Sequence, residues 1–152
     1  MEVLNNGRFG MAAALAGTQK QLIHRAADFA ANRKQFTGKI MEYGAIQEKI
    51  ARMSANHFAT ESVAYLVSQA MDAKAENYHL EAAIGKIFGS ENAWSCADET
   101  IQVMGGMGFM YEQVYQLLYE LKLIYVFRAS KKSCAICEFS GSLREQMKSF
   151  VL

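Results

Sequence analysis

Three glycines in four positions, Gly105-Gly106-Met107-Gly108, are the densest backbone-exposing stretch of the chain. Glycine takes backbone angles closed to other residues, so such a stretch lets the main chain approach a ligand closely. The same residues also make a helix stop and a tight turn, and both readings stand. Residues 106–111, Gly-Met-Gly-Phe-Met-Tyr, have part of a dinucleotide fingerprint but lack its last glycine. A helical pattern precedes them where that fingerprint needs a strand, which argues against a βαβ nucleotide fold. Arg33-Lys34-Gln35-Phe36 pairs a cation suited to phosphate with an aromatic suited to a flat ring. Cations past a helix end also complement the helix dipole, so this signal is ambiguous by itself. His57 lies on an apolar stripe and is expected to be a core or interface histidine with a hydrogen-bond partner. Cys134 and Cys137 form a C-x-x-C without a second pair, too few ligands for zinc, and without the strand–helix context of a redox pair. No metal site is expected. The nucleophile elbow, H-E-x-x-H and Walker sequences are absent.

The elements that would position these residues are helical. The chain of 152 residues contains no proline, the usual helix stop. Apolar residues recur at helical spacing over about 8–33 (Met11, Leu15, Leu22, Ala26, Phe29), with Asn5 or Asn6 as the N-cap. Ala12, Ala13, Ala14, Ala16 and Gly17 make part of this rod thin enough for close helix contact. Gly38 marks a loop over 34–42. A second helix is predicted over 45–73 and a third over 78–104, ending at the glycines. A fourth apolar segment covers 114–127 and a weaker last helix 134–150. Short connections between long helices give an all-α, antiparallel up-and-down helical bundle, one domain over 1–152.

Charge and composition narrow the partners. Sixteen basic and 15 acidic side chains leave a formal net charge of +1, against a general nucleic-acid or anionic-membrane binder. No apolar run reaches the roughly 18 residues of a transmembrane helix. Three cysteines suit a reducing compartment. Residues 1–6 are neither a signal nor a transit peptide, so an organellar address would lie outside this chain.

Several phrases then appear in a fixed order: Leu4-Asn5-Asn6-Gly7-Arg8-Phe9-Gly10-Met11, Asn32-Arg33-Lys34-Gln35-Phe36, Ile46-Gln47-Glu48-Lys49, Ile84-Gly85-Lys86-Ile87-Phe88-Gly89-Ser90-Glu91 and Gln102-Val103-Met104-Gly105-Gly106-Met107-Gly108-Phe109. Together they resemble the C-terminal helical domain of the acyl-CoA dehydrogenase family, most closely its very-long-chain members. The resemblance is close over about 2–110 and loose over 111–127. It implies an oxidoreductase of fatty acid β-oxidation: a mitochondrial flavoprotein that takes the α-proton and β-hydride from an acyl-CoA. It also implies a homo-oligomer in which Arg33, Gln35 and Phe36 reach the FAD of a neighbouring subunit. Gln102, Gly105 and Gly106 would contact the FAD diphosphate and adenosine half, while Asn5 and Arg8 would hold the acyl-CoA. The FAD site is only partial, because the family's other domains cover the rest of the flavin.

The chain departs from that family where the chemistry lies. The glutamate base of the family aligns with Arg128, a guanidinium that cannot accept a proton. Relatives with the base on the first helix place it at the position of Gly7, which has no side chain. Neither position supplies a catalytic residue, and the tail 128–152 does not align. Glu112, Glu120 and Glu138 remain as stand-in bases. Two functions follow: an FAD-binding and oligomerisation domain, inactive as this isolated chain, or a non-catalytic assembly bundle derived from the family. The tail reads either as an altered or truncated product of a longer protein or as the mark of a member retired from catalysis.

Overall fold

A computed structural model describes residues 2–36, 38–75 and 78–110; the segments predicted over 114–127 and 134–150, with Arg128, Cys134, Cys137, Glu112, Glu120 and Glu138, lie outside them. Three long helices carry the fold: α1 (Glu2–Asn32), α2 (Gly44–Asp72) and α3 (His79–Met104). The bundle runs up, down and up. Lys49 at the start of α2 pairs with Glu99 near the end of α3, and Asn92 Nδ2 donates to Thr60 Oγ1 at 3.2 Å, so these two helices are antiparallel. Gln19 Nε2 donates to the Gly89 carbonyl at 3.2 Å and Thr100 Oγ1 stands 3.5 Å from that of Leu22, so α1 and α3 run in parallel.

The thin stretch of α1 does what its residue sizes allow. Ala12 and Ala16 are buried, and a Cβ added to Gly89 would come within 3.6 Å of the Ala12 backbone. Two helices meet here without large side chains between them, and bulk at this contact would force them apart. Ala13, Ala14 and Gly17 face outward. A larger core sits where α1 and α3 end, built from Leu22, Ala26, Ala30, Met53, Cys96, Ala97, Val103 and Met104. Ile40 belongs to the same cluster and ties the α1–α2 connection down onto it. Burying such a side chain is worth about 1.5–3 kcal/mol.

The structure corrects the expected start of the first helix. Asn5 and Asn6 are not caps; α1 begins at Glu2 and both residues lie inside it. Asn5 is 1% exposed, and its amide is engaged by Arg8 and by His79 across the bundle. A partner 74 residues away satisfies this side chain, and a local window around Asn5 does not contain that partner. The loop expected over 34–42 has structure of its own. Strands β1 (Lys34–Gln35) and β2 (Gly38–Lys39) pair antiparallel, Lys34 opposite Lys39 and Gln35 opposite Gly38. A 3-10 turn, Ile40–Glu42, follows. His57 departs as well: its Nδ1 is buried without a hydrogen-bond partner, and its Nε2 stands 4.0 Å from Glu61.

Candidate functional site

The cofactor-site residues expected from the sequence meet in one place. Arg33, Gln35, Phe36, Gln102, Gly105 and Gly106 all line a single open cavity of about 520 Å³, although some 70 residues separate the two groups. The topology explains the meeting. Odd-numbered helices of an up-and-down bundle point the same way, so the ends of α1 and α3 lie side by side. Phe29, Ile40, Tyr43, Ile46, Val103, Met104 and Met107 complete the wall.

One side of the cavity is the β1–β2 hairpin. A two-residue connection between paired strands demands a left-handed angle at its first position. That position is Phe36, with φ of 57°. Left-handed backbone costs a side chain such as Phe about 1–2 kcal/mol. Its ring is also 95% exposed, an apolar surface held out from the body of the protein. Such strain persists where the surroundings over-determine it, and it accumulates at ligand clamps. The hairpin is held from both sides. Tyr43 Oη donates to the Gln35 carbonyl at 3.1 Å, and the Ile40 amide donates to the Arg33 carbonyl at 3.0 Å. Sequence reasoning did not single out Tyr43; its only signal was an aromatic residue just before an apolar-periodic helix.

The other side is the end of α3. Gly105 ends the helix with φ 54° and ψ −130°, and its amide returns to the carbonyls of Ile101 and Gln102. A short 3-10 segment, Gly105–Phe109, continues from it. A Cβ placed on Gly106 would meet nothing within 4 Å, so the chain's own packing does not require glycine there. Gln102 projects from the exposed face of the last α3 turns.

Charge suits an anion. Arg33 is the only charged residue among the described ones that line the cavity, and Lys34 and Lys39 stand on the adjoining hairpin. A guanidinium beside polar amide and open backbone can hold a phosphate, and the exposed Phe36 ring can lie against a flat heterocycle. No group of three or more His, Cys, Asp or Glu side chains that could hold a metal occurs among the described residues. No described helix is long and apolar enough to cross a membrane.

Asn5 and Arg8 are elsewhere. They stand at the start of α1, 28 and 25 residues before Arg33, or about 42 and 38 Å along the helix. Arg8 Nη1 donates to Asn5 Oδ1 at 3.2 Å. Gly7 is exposed beside them, and an added Cβ would meet nothing within 4 Å.

Known proteins are similar to this chain in sequence and fold. The family model described as acyl-CoA dehydrogenase, C-terminal domain, matches residues 1–127. The very long-chain specific acyl-CoA dehydrogenase of Bos taurus mitochondria is 56% identical over 131 residues, which is 86% of this chain and 20% of that protein. A solved acyl-CoA dehydrogenase from Bacillus anthracis, complexed with FAD, superimposes with a TM-score of 0.84 at 28% identity, covering 97% of this chain and 28% of the other. Butyryl-CoA dehydrogenase from Megasphaera elsdenii shares the fold, with a TM-score of 0.84 at 23% identity over 94% of this chain and 37% of its own. The chain thus spans about a fifth of the length of that very long-chain relative.

Proposed function

The chain belongs to the acyl-CoA dehydrogenase family, and from that premise we propose that it is an FAD-binding and oligomerisation domain for the α,β-dehydrogenation of long-chain acyl-CoA. The observation that carries the reading is the convergence of Arg33, Gln35, Phe36, Gln102, Gly105 and Gly106 on one cavity. Arg33 supplies the positive charge for a diphosphate, and Gln102 and the open Gly106 backbone supply polar contact and close approach. Phe36 offers its exposed ring to the cofactor's flat heterocycle. FAD, when bound, accepts the hydride of the family reaction. Arg8 holds the acyl-CoA, and the buried Asn5 beneath it contributes through Arg8 and not by direct contact.

The separation of the two groups supports the proposed homo-oligomer. Acyl-CoA and cofactor must touch for hydride to pass, yet about 38 Å of helix divides Arg8 from Arg33. Residues so far apart on one rod serve different reacting centres, so the hairpin of one copy completes the cofactor site of another. We also propose that these 152 residues alone do not dehydrogenate, because the two family positions for the base hold Gly7 and Arg128. The same two residues favour the second reading, a bundle retained for assembly alone. A mitochondrial location follows from the named relatives.

The test is a titration of the purified chain with FAD, read by quenching of flavin fluorescence, with light scattering on the same samples. Saturable binding is expected, weakened at least about tenfold, or about 1.4 kcal/mol, by Arg33→Ala and by Phe36→Ala. An oligomeric chain that takes up no flavin at tens of micromolar would replace this reading with the assembly bundle.

A further inference from the structure

We infer that His79 is a positioning residue for the acyl-CoA end of the chain: it fixes the Asn5 amide, and that amide aims the Arg8 guanidinium. The inference rests on the proposed substrate role of Asn5 and Arg8 and extends it to a residue on another helix. Asn5 is 1% exposed, so both ends of its amide need protein partners. Arginine has only donors. Arg8 Nη1, 3.2 Å from Asn5 Oδ1, therefore dictates that the amide oxygen faces Arg8. The amide NH2 must then face the other neighbour, and it donates to His79 Nδ1. A nitrogen that accepts a hydrogen bond carries no proton, so this contact selects the tautomer with its hydrogen on Nε2. An imidazolium would set donor against donor and turn the amide away from Arg8.

The ring that accepts this bond is itself held. Tyr78 stacks on His79, with centroids 5.6 Å apart and planes inclined by 24°. His79 is also the first residue of α3. The relay thus ties the orientation of a guanidinium on α1 to the place where α3 begins. Remove the acceptor, and the buried NH2 is left unpaired in the orientation that serves Arg8. Leaving a buried donor unpaired typically disfavours that state about five- to a hundredfold. The amide and Arg8 would then sample other geometries.

The test uses the 152-residue chain. Two-bond proton–nitrogen spectra of histidine-labelled protein, taken at pH 8, above the ordinary histidine range near about 6.5, report which ring nitrogen is protonated. The expected result for His79 is a bare Nδ1 and a protonated Nε2; a protonated Nδ1 overturns the relay. His79→Phe should release the Arg8 Nη1–H to fast solvent exchange and weaken binding of coenzyme A, measured by calorimetry, at least about fivefold. His79→Gln, whose side-chain oxygen can accept from Asn5, should keep both within about twofold of the parent. A merely structural contact would shift the melting temperature of His79→Phe and leave Arg8 exchange and affinity at parental values, which would overturn the inference. If His79→Phe fails to fold, the ring-nitrogen spectrum of the parent decides. If the parent binds no coenzyme A while Arg8 exchange still follows the acceptor at position 79, the substrate reading falls and the relay stands.

Discussion

Alanine substitutions across the glycine turn separate what the fold needs from what a ligand needs. Gly105 sits at φ 54° and ψ −130°, a conformation nearly confined to glycine. Nothing crowds it, so the cost of Gly105→Ala is backbone strain, about 1–3 kcal/mol. Gly108 has the opposite problem. Its added Cβ would stand 2.8 Å from the Ile101 carbonyl oxygen and 3.3 Å from Ile101 Cα and Cγ2. The first two of these atoms are backbone and cannot swing aside, so the 3-10 segment must lift off the end of α3. Overpacking of this kind costs about 1–3 kcal/mol. Gly106 has neither constraint, and Gly106→Ala should leave stability unchanged or raise it by about 0.4–1 kcal/mol through the unfolded chain. Guanidinium unfolding followed by far-ultraviolet circular dichroism measures all three, with an unchanged slope expected. FAD affinity should follow another order, with Gly106→Ala losing at least about tenfold despite full stability. A Gly106→Ala chain as unstable as Gly108→Ala would refute the reasoning, because it would make all three glycines structural. A Gly108→Ala chain as stable as the parent would refute the clash.

Two further predictions concern stability. Burial, with the charge of Glu99 adding to it, pushes the Cys96 thiol up to about 11 from an ordinary 9.0. The folded chain therefore holds this proton more tightly than the unfolded one, a contribution fully present below about pH 9 and lost as pH rises towards 11. The stability difference between the parent and Cys96→Ala should shrink by about 2–3 kcal/mol across that window, and a difference that stays flat would show the thiol reaching solvent. Gly7 lies in an exposed helical interior with free space around it, so Gly7→Ala should stabilise by about 0.5–1 kcal/mol in thermal melts. A loss of stability would mean that a neighbouring segment packs there.

Much of the frame was legible because it is periodic. The apolar spacing of Leu15, Leu22 and Ala26 marks α1 wherever the rest of the chain goes, and all three are buried. The glycines after Met104 stop α3 where expected. What the local pattern lacked were features created by distant partners. Asn5 reads as a cap because short polar side chains often cap helices; its burial depends on His79, which is remote in sequence. The β1–β2 hairpin is only two residues per strand, too short for an alternating pattern to register. Its shape comes from Tyr43 and Ile40, which hold it to the bundle. His57 Nδ1, a buried ring nitrogen without a hydrogen-bond partner among the described residues, departs from the general rule that buried polar atoms are paired.

The grouping of the proposed cofactor residues was implicit in the topology. Once three long helices are joined by short connections, α2 has to return the chain to the end from which α1 started. The C-terminal ends of α1 and α3 are then neighbours, and the residues just past each end share a surface. Arg33 to Phe36 follow one end, and Gly105 and Gly106 follow the other. A site built at helix ends uses segments that have left the bundle's hydrogen-bond ladders, so they can present backbone and rings to a ligand without disturbing the core. The proposed acyl-CoA pair is placed differently. Asn5 and Arg8 lie on a regular helix, one turn apart, where the backbone is already satisfied and only side chains can recognise anything. Recognition there depends on fixing long side chains against a rigid helix, and this is why a buried amide with an acceptor on the neighbouring helix matters at that end of the molecule.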